Sequence, residues 1–130
     1  MYYIGVDLGG TNIAVGLVDD NGKILDSMST PTLSPRSYKE IVADMARLIK
    51  EIINNAGLSV NDIESIGIGS PGSVDDDRGM IIYANNLDID HAPIAEEMRK
   101  HIDLPVHIEN DANAAAFGEY VVNGKGAKNV

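Results

Sequence analysis

A chain of 130 residues with 44% hydrophobic content has the length and composition of one ordinary soluble domain with a sizeable core. Its net charge of −10 argues against duplex nucleic acid and anionic membrane surfaces, which are bound through clustered Lys and Arg, but leaves open a nucleotide held by backbone N–H groups and Mg²⁺. There is no cysteine, hence no disulfide framework and no thiolate zinc site in this chain, and no apolar run approaches the ~18–20 residues of a membrane span. The first residues, Met1 to Ile4, already read as a strand, so neither a secretory signal nor a transit peptide is expected, and a cytoplasmic protein is.

Three strands are predicted first, over Tyr2–Asp7, Ile13–Val18 and Lys23–Ser29. The glycine pair Gly9-Gly10 and the turn Asp19-Asp20-Asn21-Gly22 join them into an antiparallel meander. Ser37 to Ala56 reads as a helix, with Ile41, Met45, Leu48 and Ile52 on one face. Ser37 and Glu40 have capping-box spacing, and Gly57 is placed to end the helix in a left-handed conformation. Ile63–Ser70 is predicted as a strand, followed by a loop and a short return strand over Met80–Tyr83. A helix over Pro93–His101, a strand over Leu104–Ile108 and an alanine-rich helix over Asn110–Val122 complete the order. A meander followed by strand–helix alternation predicts an α/β domain: a mixed sheet with helices packed on it.

Four segments carry chemistry. In Asp7-Leu8-Gly9-Gly10-Thr11-Asn12 the glycines allow positive φ and close approach of a ligand. Exposed N–H groups there can point at phosphate oxygens, Thr11 and Asn12 add side-chain hydrogen bonds, and Asp7 can hold Mg²⁺ through water. In Gly69-Ser70-Pro71-Gly72-Ser73 a strand runs into a loop, where Gly72 would let backbone touch a ligand and Ser73 could donate to a hydroxyl; a plain Pro-Gly turn is the alternative. Asn85 and Asn86 are amides suited to sugar hydroxyls, or simply turn residues. In Glu109-Asn110-Asp111 a strand ends on polar residues before a helix. Asp111 there is either a helix N-cap or a general base for a substrate hydroxyl, with Asn110 orienting the substrate.

Taken together and in this order, these segments resemble the ROK family of sugar kinases and sugar-responsive repressors, over Tyr3 to Val130. DLGGTN at Asp7–Asn12 looks like its phosphate loop, GSPGSVD at Gly69–Asp75 its sugar-contact loop, Asn86-Leu87 its sugar-binding asparagine segment, and ENDANAAAFGE at Glu109–Glu119 the most specific match. The resemblance implies an actin-like (ribonuclease H-like) ATPase fold and an ATP-dependent sugar kinase, with glucose phosphorylated at its 6-hydroxyl as the leading reaction. It implies Asp111 as the base; Gly72, Ser73, Asn86 and Asn110 around the sugar, with Asn85 nearby; Gly9, Gly10, Thr11 and Asn12 around the ATP phosphates; and Asp7 near Mg²⁺.

Family members continue into a second lobe bearing the adenosine pocket, a Glu-x-Gly-His sugar motif and a cysteine-rich zinc motif. None of these occurs here, so residues 1–130 are expected to be the N-terminal lobe of a longer protein, inactive alone, with zinc only in the missing lobe. The resemblance also implies a homodimer for the full-length protein. The family's repressors carry a helix-turn-helix ahead of the phosphate loop, which here begins at Asp7; that order and the acidic charge favour the kinase. The alternatives are a non-catalytic sugar-sensing domain of a regulator and an actin-like scaffold.

Overall fold

A computed structural model of the chain describes residues 1–33, 36–70, 72–84 and 89–110. Strands β1 (Tyr2–Leu8), β2 (Asn12–Val18) and β3 (Ile24–Pro31) form the expected antiparallel meander. β3 extends past the predicted Ser29 because its register with β2 holds as far as the Asn12–Pro31 pair. Pro31 is tolerated there because β3 is an edge strand and needs no donor on its outer side. The Asp19 carboxylate closes the β2–β3 turn by accepting the N–H groups of Asn21 (2.9 Å) and Lys23 (3.0 Å).

Helix α1 (Tyr38–Asn55) starts at Ser37, but not through the predicted capping box. The Ser37 hydroxyl accepts the Lys39 N–H at 3.1 Å, one residue short of Glu40. A carboxylate reaching back to an N-cap N–H is found instead at Asp62, which accepts from Ser59 at 2.8 Å just before β4. The helix ends as Gly57 predicts, with φ +73. The Gly57 and Leu58 N–H groups return to the carbonyls of Asn54 and Ile53 at 3.0 and 3.1 Å, a Schellman closure.

β4 (Ile63–Ser70) runs parallel to β1, and β8 (Val106–Asn110) parallel to β4, giving the order β3-β2-β1-β4-β8. β8 begins and ends two residues later than predicted, so Asn110 closes a strand and does not open a helix. The remainder of the predicted helix, to Val122, lies outside the described residues. Between β4 and β8 sits a second antiparallel sheet, β5-β6-β7, built from Ser73–Asp75, Met80–Ala84 and Ile89–Ala92. Only β6 is foreseen by the sequence; β5 and β7 have three and four residues, too few for alternation to register. α2 (Ile94–Arg99) is shorter than predicted, with Pro93 as its N-cap and Lys100 as its C-cap.

The two faces of the five-stranded sheet differ. Ile4, Val6 and Leu8 of β1, Ile13, Val15 and Leu17 of β2, and Ile66 and Ile68 of β4 are buried together with Ile41, Met45, Ile49 and Ile52 of α1. The alternate residues, Tyr3, Gly5 and Asp7 on β1 and Ala14 and Gly16 on β2, point the other way and are small or polar. No helix among the described residues is long and apolar enough to cross a membrane.

Because Ile49 is fully buried against the sheet, Ile49→Ala should lower the unfolding free energy by about 2–5 kcal/mol. Lys50→Ala, one residue along on the exposed face, should change it by less than about 0.5 kcal/mol. Urea denaturation of the two variants checks the contrast.

Candidate functional site

Parallel pairing brings the carboxyl ends of β1, β4 and β8 to one edge of the sheet. Asp7 is opposite Gly69, and Gly69 is opposite Glu109. One step further, Ser70 is opposite Asn110. Asp7 and Glu109 alternate with core residues of their own strands, so both lie on the small, polar face. Two strand spacings put them ~10 Å apart, and Gly69 between them contributes no side chain to fill the gap. Asp7 is itself exposed, whereas Gly69 beside it is buried.

The β1–β2 connection, Gly9 to Thr11, overhangs the same edge. Its conformation differs from expectation in one respect: neither Gly9 nor Gly10 has a positive φ. Space favours glycine at Gly9, since a Cβ there would lie a tight 3.0 Å from the Asn12 carbonyl oxygen. The Gly9 N–H donates to that carbonyl at 3.0 Å. Sequence reasoning passes over the residue that holds the loop from behind. Thr32 is completely buried; its hydroxyl donates to the Gly9 carbonyl at 2.7 Å and its N–H to the Thr11 carbonyl at 2.8 Å. The Thr32 carbonyl accepts the Arg36 Nε–H at 2.8 Å, and the Arg36 guanidinium is paired with Asp44 of α1. Thr11 and Asn12 are exposed, with Asn12 opening β2.

Gly72 does take a positive φ, +83, but the close approach is to protein. A Cβ at Gly72 would lie 2.0 Å from the Tyr83 carbonyl oxygen, so the pairing of β5 with β6 already demands glycine. Ser73 is exposed, opposite Tyr83. Asn110 is positioned by its backbone, at the end of β8. Asn85, Asn86 and Asp111 lie outside the described residues.

A second residue missed by the sequence reading fixes β8. Among the described residues β8 is the outer strand of the sheet, and the Asp76 carboxylate accepts the Ile108 N–H at 2.8 Å. The other Asp76 oxygen lies 3.7 Å from His107 Nδ1. The polar turn after β5, which reads as plain solvent-facing sequence, is thereby tied to the strand that leads to Asn110.

Among the described residues no group of three or more His, Asp or Glu side chains is arranged to hold a metal unaided. One exposed carboxylate beside the Gly9–Thr11 loop is nevertheless compatible with Mg²⁺, which keeps several waters and takes one or two carboxylates plus substrate phosphates. Asp7 fits that requirement.

A five-stranded mixed sheet beginning with a meander, with helices on it and a glycine turn after β1, is the actin-like ATPase fold. The chain belongs to the ROK family, whose model matches residues 3–130. It is 42% identical over 129 residues to a glucokinase from Streptomyces coelicolor, covering 98% of this chain and 38% of that protein. A solved ROK family glucokinase from Streptomyces griseus, in complex with glucose and AMPPNP, superposes with a TM-score of 0.81 at 38% identity, over 96% of this chain and 38% of that one. A xylose repressor from Caldicellulosiruptor bescii is 29% identical over 116 residues, covering 89% of this chain and 29% of that protein. The chain therefore spans well under half the length of these relatives.

Removing the Asp76 carboxylate strips the Ile108 N–H of its acceptor. Asp76→Ala should speed amide hydrogen exchange at Ile108 by about tenfold or more, the loss expected for a hydrogen bond to a charged group. Exchange at Val15, in the middle of the sheet, should stay unchanged. Equal protection at Ile108 in the variant would show that Asp76 does not hold the strand.

Proposed function

We propose that this chain is the N-terminal, sugar- and phosphate-binding lobe of an ATP-dependent hexokinase, with glucose as the substrate and its 6-hydroxyl as the acceptor. The observation that carries this is the Asp7–Gly69–Glu109 row. It supports a single site by bringing the glycine loop, the strand leading to Gly72-Ser73 and the strand leading to Asn110-Asp111 to one edge. The similarity to glucokinases supports the same reaction.

In this mechanism Asn110, Asn86 and Ser73 hold the hexose hydroxyls, and Asp111 accepts the proton of the attacking hydroxyl. The hydroxyl oxygen bonds to the γ-phosphorus of ATP as the bond to the β–γ bridging oxygen breaks, releasing ADP and the sugar 6-phosphate. The Gly9–Asn12 loop holds the transferring phosphoryl group with backbone N–H and side-chain donors. Asp7 would help hold Mg²⁺, and the bound ion would supply charge neutralisation. The adenosine pocket and the second wall of the sugar site belong to a further lobe.

In the full-length protein, Asp111→Asn should lower kcat by about 10²–10⁴-fold, the range of a general base, while the glucose Kd stays within about threefold of wild type. An ATP-coupled assay with calorimetric glucose titration reads both numbers, and a near-normal kcat would remove Asp111 from this role. Residues 1–130 alone should show no glucose phosphorylation above background; measurable turnover would contradict the two-lobed site.

The repressor relative favours one second reading, a sugar-sensing domain without turnover. Sugar binding by the full-length protein with no ADP formation, at saturating ATP and glucose, would select it.

A further inference from the structure

We infer that Thr32 is a positioning residue for the phosphate loop, acting through the Gly9–Gly10 peptide; this rests on the kinase reading above. A trans peptide points its C=O and the following N–H in opposite directions. The Thr32 hydroxyl draws the Gly9 carbonyl inward, at 2.7 Å. The Gly10 N–H of the same peptide is therefore turned away from Thr32. The Thr32 N–H fixes the other end of the turn by donating to the Thr11 carbonyl at 2.8 Å. One buried residue thus sets two peptide planes of a loop that includes a glycine pair and has little stiffness of its own.

Thr32 is itself anchored. Its carbonyl accepts the Arg36 Nε–H at 2.8 Å, and Arg36 is paired with Asp44 on α1. The loop's carbonyls are held by a chain of contacts ending on the helix that covers the core. A donor aimed before the ligand arrives needs no reorganisation when phosphate binds, which is where such a device improves phosphoryl transfer. Among the described residues nothing in this chain of contacts reaches Gly72 or Ser73, so its influence should fall on the nucleotide side alone.

The test uses the full-length protein, with Mg·ATP and glucose as probes. Thr32→Val keeps the shape and burial but removes the hydroxyl donor. It should raise KM for ATP or lower kcat so that kcat/KM for ATP falls about 5–20-fold, the low end of what leaving a buried carbonyl without its donor costs, with the glucose Kd unchanged. Thr32→Ser, which restores the donor, should return kcat/KM to within about twofold of wild type. Thr32→Val melting with wild type and showing unchanged ATP kinetics would overturn the inference. So would parallel losses of ATP and glucose affinity, the signature of general loosening. Should Thr32→Val fail to fold, Arg36→Gln on the part-exposed surface reads the same device. A smaller fall in kcat/KM for ATP with unchanged glucose Kd supports it, and unchanged ATP kinetics overturns it. A wild-type protein that binds no ATP would refute the kinase reading, whereas ATP binding with an indifferent Thr32→Val refutes this inference alone.

Discussion

Everything placed at the candidate site depends on the in-register parallel pairing of β1 with β4 and of β4 with β8. Parallel strands put all their carboxyl ends on one side, and each return journey must cross a face of the sheet. The first crossing uses α1, whose apolar stripe buries the Ile4–Val6–Leu8 side. The loops that follow β1, β4 and β8 then have one shared edge on which to meet. A slip of one residue in either pairing would bring Asp7 or Glu109 onto the core face and send an apolar neighbour, Val6 or Leu8 on β1 or Ile108 on β8, outward. Burial of one face thus fixes the alignment of polar groups on the other.

That second face has its own logic. Across β3 to β8 the row containing Asp7 reads Ser29, Ala14, Asp7, Gly69, Glu109, and the row before it reads Ser27, Gly16, Gly5, Gly67, His107. Side chains this small give up packing that valine or isoleucine would supply in a strand. The stability forgone there is supplied by the α1 side, where Ile41, Met45, Ile49 and Ile52 are completely buried.

Much of this was legible in the sequence wherever a signal was long or periodic. The meander, α1 with its Gly57 stop, and β4 follow from alternation, helical spacing and glycine placement. The α/β class followed from their order. The short strands β5 and β7 did not, because three or four residues cannot display a period. Asn110 was misassigned since a polar residue at the end of a strand and one at the start of a helix look alike in a one-dimensional pattern. Gly72 reads in sequence as a place where backbone could touch a ligand; the contact that demands glycine there is within the protein, with the Tyr83 carbonyl eleven positions away on β6. Thr32 and Asp76 were invisible for the same cause. Their partners lie 23 and 32 positions distant, and a single threonine or aspartate in a polar turn carries no mark of the strand edge it will meet.

The acidic balance raises a physical question about a chain proposed to hold triphosphate. A net charge of −10 would repel an anion at long range, but charges more than ~8 Å away are largely screened at physiological ionic strength. What decides binding is therefore the field within the loop itself. There the Gly10 N–H offers a partial positive charge, while Asp7, on the same edge, offers a full negative one. A carboxylate beside a phosphate is unfavourable unless a cation lies between them, because two anions in contact oppose each other just as strongly as an ion pair attracts. Asp7 and the glycine loop thus make chemical sense together as a site for a metal–nucleotide complex, and poor sense as a site for a bare phosphate. On the proposed reading, an acidic lobe of this kind would discriminate against free anions through Asp7, the residue proposed to help it accept Mg·ATP.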